Sequence, residues 1–232
     1  RDEGMVRSFS LGKLNIAVAV SLVAILAAIT LISTDGAKAA SGGIGMATPT
    51  GTVKKQSGTI AAGTRFGTRT LRQGMSGPDV KVLKSIVHSK NLLSGALTET
   101  FDQPTTSAVR RFQASANISS NGVVSPTTAK ALIGSLRTSE ASWYGPGLWG
   151  NGTACGEVTL RPGTIGVANK NLPCGTRVLF GYRGKFIIAP VIDRGPYIAG
   201  RTWDLTKAAS DAIGLTSAGV GRVRHAIISR GK

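Results

Sequence analysis

Histidine and cysteine are nearly absent: the 232 residues hold two of each, His88 and His225, Cys155 and Cys174. A zinc site takes about four such ligands, so metal binding is not expected and no cofactor is implied. Acidic residues are scarce as well, 11 Asp and Glu against 28 Lys and Arg, for a net charge of +17. That imbalance favours an anionic partner, whether nucleic acid, acidic envelope polymer or membrane surface. Composition alone does not choose among the three. Aromatic residues make up only 5% of the chain, yet all three Trp and all three Tyr fall after residue 142. One region therefore carries most of the flat, ring-bearing surface.

What is present at the start is a long apolar run. "MVRSFSLGKLNIAVAVSLVAILAAITLISTDGAKAA" places Arg7 and Lys13 before an apolar stretch from Ile16 to Ile32. Ala37-Lys38-Ala39 then fits the small-x-small pattern of a cleavage site. Residues 1–39 are expected to be a signal peptide, with an uncleaved membrane anchor as the rival, since about 17 apolar residues is at the short limit for spanning. Either way the remainder is expected outside the cytoplasmic membrane, with this segment engaging the membrane during export. Residues before Met5 read as upstream translation. An oxidising location makes a Cys155–Cys174 disulfide the natural use of the pair. Closing a loop of roughly 20 residues is worth about 3 kcal/mol on the chain-entropy estimate.

Residues 40–68 are rich in Gly, Ser, Thr and Ala without lasting periodicity, as expected of a flexible tether. Residues 69–136 carry a helical period. "GPDVKVLKSIVHS" sets Val80, Leu83, Ile86 and Val87 on one side, and "DQPTTSAVRRFQAS" offers Asp102 as a cap ahead of Ala108, Val109 and Phe112. "SPTTAKALIG" has Ser125 as N-cap, Pro126 at the first helical position and Gly134 at the end. Three short helices around one small core are expected, with no cluster of charges that resembles a catalytic constellation.

From about residue 141 to 230 the period changes. "TIGVA", "TRVLF", "KFIIAPVI" and "VRHAIIS" are short β-rich runs between Gly and Pro turns. One helix interrupts them, capped by Asp204 or Thr206, with Leu205, Ala208, Ala209, Ala212 and Ile213 on one face and Gly214 beyond its end. Many short strands with a single helix argue for a small closed barrel. Its aromatics, Trp143, Tyr144 and Trp203 among them, either stack on sugar rings or plug the barrel ends.

Asp193 ends an apolar strand in "PVIDRGPYIAGRTWDL", so its carboxylate should emerge at the rim. Two roles stand level. Partial burial would let it donate a proton near neutral pH, although pairing with Arg194 would oppose that; alternatively it accepts backbone N–H bonds and braces the "RGP" turn. Asp204, just before the helical run, is expected as a cap rather than a second catalyst.

The pieces "LRQGMSGPDVKVLKSIV", "TSAVRRFQ" and "NGVVSPTTAKAL" closely resemble the peptidoglycan-binding domain type 1 family. That resemblance implies a three-helix bundle holding cell-wall glycan or peptide. It departs at Phe101-Asp102, where the family often has Phe-Gly, a change that a capping Asp tolerates. "ASWYGPGLWGNGTACGE", "LPCGTRV" and "VIDRGPYIAGRTWDLTKAASDAIG" resemble the RlpA-like (rare lipoprotein A-like) double-psi β-barrel family. The resemblance implies a six-stranded double-psi β-barrel and, in the enzymatic members, cleavage of the peptidoglycan glycan strand without water, leaving a 1,6-anhydro end. It carries the catalytic acid onto Asp193 and lines the groove with Tyr144 and Glu157.

The expected chemistry is a single carboxyl that protonates the glycosidic oxygen and then takes a proton from the 6-hydroxyl of the muramic residue. Asn169 stands where the lytic enzymes commonly have histidine; an amide can orient a sugar but not take up a proton. Trp143, Tyr144, Glu157, Asn169, Trp203 and Arg194 are the expected substrate contacts. The expectation is thus an exported, monomeric lytic transglycosylase on peptidoglycan and anionic wall polymers; the alternative is a non-catalytic, expansin-like wall-binding or wall-loosening protein. Export and the lack of a nucleic-acid motif set nucleic acid aside.

Overall fold

The computed structural model describes residues 63–156 and 158–232. The apolar leader, the tether up to residue 62 and Glu157 lie outside the described residues. No helix among the described residues is long and apolar enough to cross a membrane.

The helical region forms as its sequence signals dictate. Helix α1 (Pro78–His88) buries Val80, Leu83, Ile86 and Val87, and α2 (Gln103–Ser115) buries Ala108, Val109 and Phe112. Asp102 caps α2 by accepting from Thr105 N, and Ser125 caps α3 (Pro126–Gly134) by accepting from Thr128 N. These caps satisfy amide groups that the first turn leaves without partners. Lys84, almost fully buried, reaches Thr98 Oγ1 at 2.9 Å, Asp102 Oδ2 at 3.0 Å and Thr100 O at 3.2 Å. Burial pushes the Asp102 carboxyl up, but its bonds to Thr105 and Lys84 outweigh that and hold it at about 2.

The second region is a closed barrel. Its strands are β2 (Arg137–Tyr144), β3 (Val167–Ala168), β4 (Arg177–Tyr182), β5 (Lys185–Asp193), β6 (Trp203–Thr206) and β7 (Gly221–Ser229). Around the barrel the order is β5-β3-β6-β2-β7-β4, and β4 pairs with β5 to close the ring. The β2–β6 and β3–β5 pairs are parallel, and the rest are antiparallel. This is the six-stranded double-psi arrangement. Closure removes the exposed edges that a small sheet would otherwise present. The sequence runs at 137–144 and 203–206 show little β-pattern, and pairing with their neighbours, not propensity, makes them strands.

Inward side chains Ala141, Val167, Val178, Phe180, Ile187, Ala189, Val191, Trp203, Leu205 and Val223 fill the barrel together with Ala209 and Ile213 of α4 (Lys207–Ile213). The opposite parity on β4 and β5 is also apolar. Leu179, Phe186 and Ile188, with Ile228 of β7, join the core of the three helices. The strands therefore bury both faces, which is why they read as continuous apolar runs.

A short strand β1 (Thr64–Arg65), at the end of the segment expected as tether, pairs with Lys185 and Phe186 of β5. Phe66 follows it into the shared core, edge-on to Phe186. The His88 ring spans the same seam, with Nδ1 2.8 Å from Leu93 O and Nε2 3.1 Å from Ile228 O.

Candidate functional site

Two strand ends and one irregularity build the site. Along β5, Ile187, Ala189 and Val191 point inward, and simple alternation would send Asp193 inward too. It does not go there. Val167 pairs with Val191 but Ala168 pairs with Asp193, so Ile192 is the extra residue of a bulge that turns Asp193 to the other face. The bulged Ile192 packs where Gly166 has no side chain; a Cβ at Gly166 would overlap it.

On β6, Trp203 and Leu205 point into the barrel, so Asp204 between them points out. Ala168 is the register partner of both Asp193 and Asp204, one on each side. With strands about 4.8 Å apart, the two aspartate backbones lie about 10 Å from each other across a methyl group. On the neighbouring β2, Ser142 and Tyr144 share this outward face. Ser142 is the register partner of Asp204 and donates from Oγ to Asp204 Oδ1 at 2.8 Å.

The two carboxyls have different surroundings. Asp193 Oδ1 accepts from Ala154 N and Arg194 N, each at 2.9 Å, and Oδ2 accepts from none of the described residues. Asp193 thus braces the turn through one of its two oxygens. Burial raises the Asp204 pKa, as does the charge of Asp193, against the opposing effects of Ser142 and Arg201. The Tyr144 hydroxyl is buried and lies by Asp193 without closing a well-formed hydrogen bond to any described group. Burial, with the Asp193 and Asp204 charges, raises its pKa and keeps it a protonated donor.

The Cys155–Cys174 disulfide is formed, with an S–S distance of 2.03 Å. It ties the loop that carries Ala154 to the loop after β3, and so holds one of the two amides that grip Asp193.

The other expected contacts take different places. Trp203 is 3% exposed and stands edge-on to Phe180 and His225 in the barrel core. It offers no face to a sugar, and the alternation that exposes Asp204 is the reason. Trp143, also on the inward parity, is half-buried, with Nε1 donating to Thr216 O at 3.2 Å and Lys207 6.0 Å above its ring.

Arg194 forms no salt bridge with Asp193. Its guanidinium donates to Asn169 O, Leu172 O and Cys174 Sγ, tying down the loop after β3. Asn169 is occupied likewise: Nδ2 donates to Thr202 O, and Oδ1 accepts from Asn171 N and Leu172 N. Both side chains hold the site's walls. Asp204 is not the helix cap expected of it; Thr206 caps α4, accepting from Ala209 N. The residues "WDL" carried the signal, an acid between two apolar side chains at strand spacing. Tyr197, 81% exposed, stands on the loop between the two aspartates with Lys170 5.9 Å from its ring.

Residues 137–225 match the lytic transglycolase family, and residues 76–132 match a putative peptidoglycan binding domain. Over 102 residues the chain is 40% identical to a probable endolytic peptidoglycan transglycosylase RlpA of Synechocystis, covering 43% of this chain and 32% of the relative. The endolytic peptidoglycan transglycosylase RlpA of Campylobacter jejuni is 35% identical over 101 residues, covering 43% and 36%. The chain thus spans about a third of the length of these curated relatives. Both alignments cover less than half of this chain, a length that accommodates the barrel and not the helices as well. The chain thus joins a region that matches a putative peptidoglycan binding domain to a double-psi β-barrel that matches the lytic transglycolase family and is similar to the RlpA relatives.

Proposed function

We propose that this protein binds peptidoglycan outside the cytoplasmic membrane and that its barrel is a lytic transglycosylase. It would cleave the β-1,4 bond between N-acetylmuramic acid and N-acetylglucosamine and leave a 1,6-anhydro end. The observation that carries this reading is the carboxyl pair: Asp204, whose proton is held more tightly through burial, beside Asp193 with one free oxygen. Groups that differ in this way divide acid and base work between them.

Asp204 gives its proton to the glycosidic oxygen as the bond to the muramic anomeric carbon breaks. The 6-hydroxyl oxygen of that sugar attacks the same carbon, and its proton passes to Asp193 Oδ2. Solvent returns the proton from Asp193 to Asp204, so each turnover closes without a water being added to the sugar. Tyr144, a protonated donor without a partner, stabilises the departing oxygen or orients the ring. This divides between two aspartates the work that the sequence suggests for Asp193 alone.

One observation favours a second reading. Asn169 stands at the position where the resemblance expects histidine, and both ends of its amide are engaged in the fold. A wall-binding protein that makes no product would tolerate that arrangement equally. Release of soluble fragments from labelled, purified cell walls separates the two. The full chain should release them while Asp204→Asn sediments with the wall and releases none. Equal sedimentation with no release by either protein would establish the binding reading instead.

A further inference from the structure

A cavity lies at the end of the barrel away from the carboxyl pair. It has a volume of about 320 Å³ and is lined from both regions: Lys90 beyond α1, Leu136 and Arg137 at the start of β2, His225 and Ile227 on β7, and Arg230 after it. Arg137 and Tyr144 are the two ends of β2, so this cavity is about 23 Å from the carboxyl pair at the rise of an extended strand.

Its charge is one-sided. No acidic side chain lines it, and Lys90, Arg137 and Arg230 enter none of the salt bridges among the described residues. Among the described residues Lys90 Nζ is held only by Ser135 O, at 3.0 Å, and burial pushes its pKa down. His225 is 8% exposed, with Nε2 2.9 Å from Ser139 Oγ and Nδ1 without a partner. Burial, then the charge of Arg137, lowers its pKa to about 4. Three cations gathered without a counter-charge, beside an imidazole that burial and the Arg137 charge keep neutral, form a site short of one anion.

The geometry points to a binding site for the free carboxylate end of a wall peptide. Two guanidinium groups offer the paired donors that a carboxylate accepts. Leu136 and Ile227 beside them suit a small apolar side chain next to that carboxylate, a feature that a phosphate would not use. The assignment rests on the proposed wall-binding role and extends it: the glycan is cut at one end of the barrel, and the cross-linking peptide is read at the other.

The test uses the full chain and the soluble peptide acetyl-Lys-D-Ala-D-Ala. With only two histidines, NMR of the ring protons reports His225 separately from His88, which does not line this cavity. The peptide should move the His225 signal saturably and leave that of His88 in place. Its C-terminal amide should bind about tenfold more weakly or worse, as should the peptide with the Arg137→Gln/Arg230→Gln protein, for loss of charge-assisted bonds. These exposed arginines are outside the core, so that protein should melt with the parent.

No saturable shift, or equal binding of acid and amide, would overturn the assignment. Inorganic phosphate competing as strongly as the peptide would also overturn it and give the cavity to phosphate-bearing wall polymers. Peptide binding requires no glycan cleavage and should be unchanged in Asp204→Asn, so its failure is distinct from failure of the lytic reading.

Discussion

The helical region and the barrel differ in how completely they satisfy buried polar groups. In the helices, Lys84 makes three bonds, Asp79 is held by Arg69 at 2.6 and 2.8 Å, and Gln113 donates to Asn121, Val123 and Thr128 while accepting from Gly122 N. In the barrel, Tyr144 Oη, Thr153 Oγ1, Trp203 Nε1 and His225 Nδ1 are buried without a partner, and they are the only such side-chain atoms among the described residues. An unpaired buried polar group costs about 1–3 kcal/mol. The barrel keeps unpaired polar atoms, one beside the carboxyl pair and another in the wall of the cationic cavity.

The largest break in that contrast should come at the pair itself. Asp204→Asn should lower cleavage about 10³-fold, within the usual range for loss of a general acid, while its melting temperature stays near that of the parent. A fall in activity matched by a fall in melting temperature would make Asp204 structural.

His225 tests the barrel's unpaired interior through pH. Its folded pKa of about 4 lies below the ordinary value of 6.5, so the unfolded chain binds the extra proton first. Its contribution to stability is therefore complete above pH 6.5 and is lost as pH falls toward 4, about 3 kcal/mol in all. Urea unfolding at pH 7 and pH 4 should show that slope in the parent and a much flatter one in His225→Phe. Asp102 titrates in the helices at lower pH, between its ordinary value of 3.8 and about 2, below the window of His225.

In the helical region, Gln113→Leu should cost about 2–3 kcal/mol by orphaning Gly122 N and Val123 O, read from the same urea curves. Tyr144→Phe gives the smallest and most diagnostic change. Removing a buried hydroxyl that has no partner should leave stability equal or raise it by about 1 kcal/mol, yet activity should fall. A clear loss of stability in Tyr144→Phe would mean that the hydroxyl is satisfied in the folded protein, and the contrast would fail.

Much of this was legible beforehand, and the limits have physical causes. Local signals placed the helices: the caps Asp102 and Ser125, Pro126 at the first helical position and Gly214 past α4 all do what their chemistry suggests. The strand at 137–144 was not legible, because its apolar and polar residues are sorted by partners on β6 and β7 far along the chain. Trp203 and Asp204 depart from the groove and cap roles expected of them for one reason. A four-residue strand is too short to announce its alternation when a helix begins immediately after it.

The site at Asp193 depended on a bulge, and a bulge has no sequence period of its own. What the sequence could show was a candidate; which way it faces required Ala168 and Ile192. Arg194 and Asn169 adjoin the motif, which suggests ligand contacts, but in the folded protein their donors and acceptors close the loop around it.

The most direct measurement is mass spectrometry of the sugar ends released from purified peptidoglycan by the full chain, beside Asp193→Asn and Asp204→Asn. The carboxyl pair predicts muropeptides ending in 1,6-anhydro-muramic acid from the parent and none from either variant. Reducing muramic ends from the parent would contradict it, since they require a water that the two-aspartate scheme does not use.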